Sequence, residues 1–220
     1  METISETTAP SPYPRLNEPA PDFTQVSTDG DLTLSDFRGK WVVLFSHPAD
    51  FTPVCTTEFL GFAERFEEFE RRNVKLIGLS IDSVHAHIAW MKNIEQHFGV
   101  EVKFPILADL DMKVANLYGM IQPGASATAA VRAVFIIDPE GLLRAMIYYP
   151  LTTGRNMDEI VRLIDALQLN AEHGLATPAN WEPGQSCIVP PPATKAAADK
   201  RPSEGYDTVD WYFSRTDSPA

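Results

Sequence analysis

The stretch from Trp41 to Ile81 does most to restrict the fold. It holds two mainly apolar runs rich in β-branched residues, WVVLFSH (Trp41 to His47) and VKLIGLSI (Val74 to Ile81), with a helical pattern between them. Runs of that length without polar alternation suit strands buried on both faces. Pro53 suits the first turn of the intervening helix. Phe59, Phe62, Phe66 and Phe69 recur at spacings of three and four, so one helix face is predicted to carry all four rings, with Glu64, Glu67, Glu68 and Glu70 more exposed. A third apolar run, Val134 to Ile137, ends at the turn Asp138-Pro139-Glu140-Gly141, and Leu142 to Tyr149 returns as its hairpin partner. Helical patterns over Val84 to His97, Met112 to Tyr118 and Met157 to Leu167 complete an α/β sandwich with a mixed sheet and no internal repeat.

With 220 residues, 44% of them hydrophobic, the chain can form one sizeable core with an appendage. Residues 1–14, rich in Thr, Ser, Pro and Glu, read as a flexible tail, and 15–169 as the main domain. Residues 170–220 shift toward Pro, Ala and Gly and read as an extended C-terminal arm. That arm ends in Tyr206, Trp211, Tyr212 and Phe213, which a solvated tail gains nothing by exposing. It is expected to pack on its own domain or on a second subunit, with a homodimer as the minimal assembly. A formal charge of -12 argues against nucleic-acid or anionic-membrane partners. No run of about 18 apolar residues spans a bilayer, and the first residues lack a secretory apolar core or a basic transit character, so a cytoplasmic home is expected.

Cys55 and Cys187 lie far apart, with no CxxC pair and no Cys/His cluster at ligand spacing, so no metal or other cofactor is called for. The segment HPADFTPVCTTE (His47 to Glu58) leaves a buried strand, turns through two prolines and enters the phenylalanine helix. Cys55 therefore belongs in the helix's first turn, where unpaired N–H groups and the dipole favour a thiolate. Lowering a cysteine's pKa from about 8.5 to about 6 raises its thiolate fraction at neutral pH ~30-fold. The accompanying loss of nucleophilicity, ~10- to 18-fold, cancels most of that gain. Fast chemistry thus needs groups that stabilise the transition state. Thr52, three residues before Cys55, can face the sulfur or cap the helix. Arg132, beside a buried strand, needs an anionic partner and is the best source of fixed charge.

The segment SHPADFTPVCTTE resembles the peroxidatic motif of peroxiredoxins, Pro-x-x-x-Thr-x-x-Cys, met here by Pro48, Thr52 and Cys55. The resemblance is to the one-cysteine, peroxiredoxin-6-like subfamily. It extends through APDF (Ala20 to Phe23), Arg132, YYPLTTGRN (Tyr148 to Asn156) and ATPANWEPG (Ala176 to Gly184). It implies a thioredoxin-like fold and a thiol peroxidase acting on hydrogen peroxide and alkyl hydroperoxides, in antioxidant defence and peroxide signalling. Cys55 would attack the terminal peroxide oxygen and become a sulfenic acid, with Arg132 and Thr52 polarising the peroxide and Pro48 shielding the sulfur. His47 and Glu58 would support them, His47 rather as a buried supporting group than as a general base, with Arg155 a further candidate near the pocket. Rings larger than a dimer are also implied.

The phospholipase triad of mammalian relatives falls on Lys40, Ser35 and Glu140 here, which excludes that activity. The C-terminal cysteines of archaeal relatives are likewise absent around Asp210-Trp211-Tyr212-Phe213, which Thr208 and Ser214 flank. Cys187 is either a small apolar core residue or a resolving cysteine that forms a disulfide with Cys55. In the first case an external thiol, glutathione or a thioredoxin-type protein, restores Cys55. A CxxC-type disulfide oxidoreductase is disfavoured by the missing motif; a scaffold role and a redox sensor passing oxidation to a partner are the other rivals.

Overall fold

The computed structural model describes residues 13–219; the tail expected over 1–14 falls, up to residue 12, outside the described residues. The chain divides into two compact units, one ending at Met157 and the other beginning at Asp158. The first unit is built on seven strands: β1 (Thr24–Ser27), β2 (Gly30–Thr33), β3 (Trp41–Ser46), β4 (Val74–Ser80), β5 (Ile106–Ala108), β6 (Arg132–Ile137) and β7 (Leu143–Tyr149). They lie in the order β2-β1-β5-β4-β3-β6-β7. β3, β4 and β5 run parallel and the rest pair antiparallel, so the sheet is mixed.

β3 sits inside the sheet because every one of its residues is buried and apolar except Ser46. Alternation sends Val42 and Leu44 to one face, where they join Ile77, Leu79, Phe135 and Ile137. Phe45 points to the other face and stacks on Phe62 with ring centroids 4.1 Å apart. The helix that delivers Phe62 is α1 (Pro53–Glu64), which starts at Pro53 because a proline has no N–H to leave unsatisfied there. The single phenylalanine helix predicted from spacing breaks at Arg65, whose φ of -100° and ψ of 9° end α1 and start α2 (Phe66–Arg71). The break turns Phe66 out of register, leaving it half-buried, while Phe59, Phe62 and Phe69 are fully buried. Each buried ring contributes roughly 1.5–3 kcal/mol.

α3 (Val84–Phe98) is capped by Ser83, whose hydroxyl accepts the Ala86 N–H at 3.2 Å, and ends at Gly99 in the left-handed region. α4 (Lys113–Leu117) completes the helices of this unit. The β6–β7 hairpin closes through the Asp138-Gly141 turn, with the Gly141 N–H donating to Asp138 O at 2.8 Å. A mixed sheet with flanking helices is the α/β arrangement expected from the sequence.

α5 (Met157–His173) carries the chain into the second unit and continues past the expected end at Leu167. There Ala166, Trp181 and Cys187 form a small core, and the Trp181 indole N–H donates to Gln185 O at 3.0 Å. The extension is thus folded, with β8 (Cys187–Val189), α6 (Lys195–Lys200), β9 (Asp207–Asp210) and β10 (Phe213–Thr216). The three strands make an antiparallel sheet in the order β8-β10-β9. Tyr206, Trp211 and Tyr212 remain exposed and Phe213 is half-buried, so the aromatic end of the arm is not covered by its own unit. Among the described residues no helix is long and apolar enough to cross a membrane.

Candidate active site

The loop between β3 and α1 is pinned at several points. The His47 N–H donates to Leu79 O at 2.9 Å, and the Asp50 N–H donates to the Asp82 carboxylate at 2.9 Å. Phe51 takes a φ of 55°, the left-handed turn that redirects the chain into the helix. Cys55 is the third residue of α1 and is fully buried. Thr52 is the cap residue by backbone conformation, yet its hydroxyl caps no helix N–H. It donates instead to Ala49 O at 2.9 Å, which uses its only proton and leaves the oxygen as an acceptor.

Arg132, at the start of β6, reaches the sulfur. Its Nη1 lies 3.3 Å from Cys55 Sγ and donates to Glu58 Oε2 at 2.6 Å. Its Nε and Nη2 both donate to Leu151 O, at 3.0 and 2.8 Å, so the planar fork is fixed on both sides. Glu58, one helical turn beyond Cys55, is buried and also receives Arg155 through the backbone N–H at 2.9 Å, Nε at 2.9 Å and Nη2 at 2.8 Å. Arg155 Nη1 donates to Ser46 O and Ala133 O at 2.9 and 3.0 Å, and its guanidinium lies 5.1 Å from the Phe45 ring centre. Burial pulls the Arg155 guanidinium below its ordinary value while Glu58 opposes the shift; an arginine stays charged regardless.

Two buried guanidiniums thus face one carboxylate, and the unmatched positive charge sits beside Sγ. An anionic sulfur is the partner that completes this set, because an uncompensated buried charge is costly. At an effective dielectric of 20, a unit charge pair at this separation is worth roughly 5 kcal/mol, against about 0.3–2 kcal/mol for a helix start.

A second buried group lies behind the loop. The His47 Nε2 is 2.8 Å from Asp50 Oδ1, and the His87 Nδ1 of α3 is 2.7 Å from Asp50 Oδ2. His87 Nε2 meets Leu107 O at 3.1 Å, and His47 Nδ1 has no partner. His47 packs against the Phe59 and Trp90 rings, with centroids 4.8 and 5.2 Å away. Burial pulls the His47 imidazole below its ordinary 6.5 in spite of Asp50. Burial also works against ionising Asp50, but the two imidazoles prevail and hold its carboxyl below the usual range. The three side chains have their ligand atoms within 4.8 Å of one another, the spacing of a possible metal-binding group. Their separations along the chain of contacts are those of hydrogen bonds, which account for both carboxylate oxygens.

Cys55, Glu58, Arg132 and Arg155 therefore converge, with Thr52 and Pro48 on the adjoining loop and His47 behind it. Asp50 and His87 escaped the sequence reading. Their only signals were an acid three residues after His47 and a histidine on the core-facing side of α3, in register with Trp90 and Ile94. Cys187 lies in the second unit, fully buried in the Trp181 core.

The AhpC/TSA family model matches residues 16–146, and the model for the C-terminal domain of 1-Cys peroxiredoxin matches residues 166–205. A peroxiredoxin of Aquifex aeolicus is 57% identical over 226 residues, covering 98% of this chain and 99% of that one. A peroxiredoxin of Thermoplasma volcanium is 57% identical, covering 90% of this chain and 96% of that one. The solved peroxiredoxin 6 of Arenicola marina superposes with a TM-score of 0.83 at 40% identity, over 93% of this chain and 98% of that one. A yeast mitochondrial 1-Cys peroxiredoxin, described with a thiol resolving mechanism via glutathione/thioredoxin systems, superposes with a TM-score of 0.82 at 42% identity, over 93% and 99%. With a charged, buried cysteine site of this kind and matches along nearly its whole length, the chain belongs to the peroxiredoxins, thiol-dependent peroxidases, in their one-cysteine branch.

Proposed function

We propose that Cys55 is the nucleophile and that Arg132, Thr52 and Pro48 complete its peroxide site. The thiolate attacks the terminal oxygen of a hydroperoxide; the O–O bond breaks as the S–O bond forms, and the terminal OH passes to sulfur. Sulfur loses two electrons, and the departing oxygen leaves as alkoxide or hydroxide and takes a proton from water. Arg132 Nη1 stabilises the charge moving from sulfur to oxygen. The Thr52 oxygen, its own proton held by Ala49, accepts a hydrogen bond from the incoming hydroperoxide. Pro48 adds no donor of its own beside the sulfur and limits water. Glu58 and Arg155 hold Arg132 and Cys55 in register. The observation that carries this reading is the 3.3 Å contact from Arg132 Nη1 to Cys55 Sγ inside a buried set with one unmatched positive charge.

Return to the thiol is by an external thiol, glutathione or a thioredoxin-type protein. One thiol displaces water from the sulfenic acid to give a mixed disulfide, and a second releases Cys55. Burial of Cys187 among Trp181 and Ala166 favours its reading as a core residue. The assembly is a homodimer, supported by the exposed Trp211 and Tyr212 and by β7 at the open edge of the sheet. Two free cysteines fit a reducing, cytoplasmic setting. Stopped-flow mixing with hydrogen peroxide, followed by turnover with dithiothreitol, tests the reading: Cys55→Ser abolishes both steps, and Cys187→Ser leaves them within about twofold. Unchanged turnover in Cys55→Ser would overturn it.

A further inference from the structure

We propose that Asp50 and His87 are positioning residues for peroxide reduction, joined with His47 in a charge-balanced tie that holds the loop bearing Pro48 and Thr52. The inference rests on the reading of Cys55 as the peroxidatic sulfur. It starts from a count of protons. Leu107 O can only accept, so His87 Nε2 carries a hydrogen. The 2.7 Å contact from His87 Nδ1 to Asp50 Oδ2 needs another, and the 2.8 Å contact from His47 Nε2 to Asp50 Oδ1 needs a third. Two neutral imidazoles carry only two, so the group holds one extra proton, which cancels the Asp50 charge. His47 Nδ1, with no acceptor near it, needs none. The assembly is neutral as a whole, as burial of all three side chains requires. Asp50, its carboxyl held below the usual range, stands in the tie as the carboxylate that both rings face, at 2.8 and 2.7 Å.

The tie joins four segments. His47 directly follows β3, Asp50 lies in the loop, His87 is on α3, and Leu107 is in β5. Asp50 is also held by its backbone, since Asp82 accepts its N–H at 2.9 Å while receiving the Ser80 hydroxyl at 2.7 Å. The Thr52 hydroxyl takes its direction from Ala49 O, the residue just before Asp50. A loosened Asp50 therefore redirects the Thr52 acceptor. None of Asp50, His87 or Asp82 hydrogen-bonds Arg132, Glu58 or Arg155, so the loop can be disturbed with the charged set around Sγ in place.

The test compares two reactions of the same sulfur in the full-length protein. Peroxide reduction needs the loop; alkylation by iodoacetamide does not. In His87→Gln, which cannot bear the extra proton or serve both Asp50 and Leu107, the second-order rate with hydrogen peroxide falls about 10- to 100-fold while alkylation changes less than about threefold. Asp50→Asn combined with His87→Gln removes both charges and reacts no more slowly than His87→Gln alone. Equal losses in both reactions would reduce the tie to a fold determinant, and no loss in either would leave it without a role. Should the variants not fold, nitrogen NMR of the wild-type protein decides: both His87 nitrogens protonated is expected, and one bare nitrogen overturns the charge-balanced tie. A wild-type Cys55 that alkylates but does not react with peroxide would instead sink the underlying peroxidase reading.

Discussion

Arg132 divides its guanidinium between two sets of partners: two nitrogens hold Leu151 O, and the third meets both Glu58 and the sulfur. A lysine supplies the charge but not the fork, so Arg132→Lys is expected to slow peroxide reduction about 10- to 100-fold, the worth of one or two charged hydrogen bonds. Stopped-flow rates check this, and an unchanged rate would contradict it. Glu58→Gln leaves two buried guanidiniums without a carboxylate and is expected to cost about 3–5 kcal/mol of unfolding free energy by urea titration. His47 gives the pH dependence. Its folded value lies below 6.5, so at acid pH the unfolded chain takes a proton that the native state refuses. Stability present above pH 6.5 therefore declines as pH falls below it, by up to about 1.4 kcal/mol per unit. His47→Gln should show a flatter decline between pH 6.5 and 5.5 in parallel urea titrations, and identical slopes would contradict the assignment. Local sequence sufficed to place Cys55 and Thr52 at the start of α1 and Arg132 at a strand edge, while the roles expected of them rested on the family resemblance. Asp50 and His87 could not, because their contact joins residues 37 apart and forms only once α3 packs behind the loop.

The strands that sequence reading found are those buried on both faces, where composition alone marks them. β1, β2 and β5 went unseen because they are three or four residues long and two of them carry polar residues. Periodicity likewise placed the phenylalanines on one face but could not register the break at Arg65, a backbone change that leaves their spacing intact. The consequence is measurable. Phe62 stacks on Phe45 and lies 5.5 Å beneath the Arg155 guanidinium, so Phe62→Ala is expected to cost about 3–5 kcal/mol. Half-buried Phe66→Ala should cost clearly less in the same denaturation series, and equal costs would mean that the helix runs on unbroken.

The whole chain carries a peroxidase unit and a folded C-terminal unit whose aromatic hairpin remains exposed. Composition exposed the break in character near residue 170 but concealed the small Trp181 core and the β8-β10-β9 sheet, whose strands are short and mostly polar outside β8. If Trp211 and Tyr212 meet a second copy, replacing both with serine should shift sedimentation from dimer toward monomer while circular dichroism stays the same; an unshifted dimer would place the interface elsewhere. The chemistry itself is tested most directly by nonreducing mass spectrometry of wild type and Cys187→Ser after one equivalent of hydrogen peroxide, with a sulfenic-acid trap present. The account expects trapped sulfenic Cys55 in both proteins. A Cys55–Cys187 disulfide in the wild type would contradict the one-cysteine cycle, and an unoxidised Cys55 would contradict the peroxidatic assignment itself.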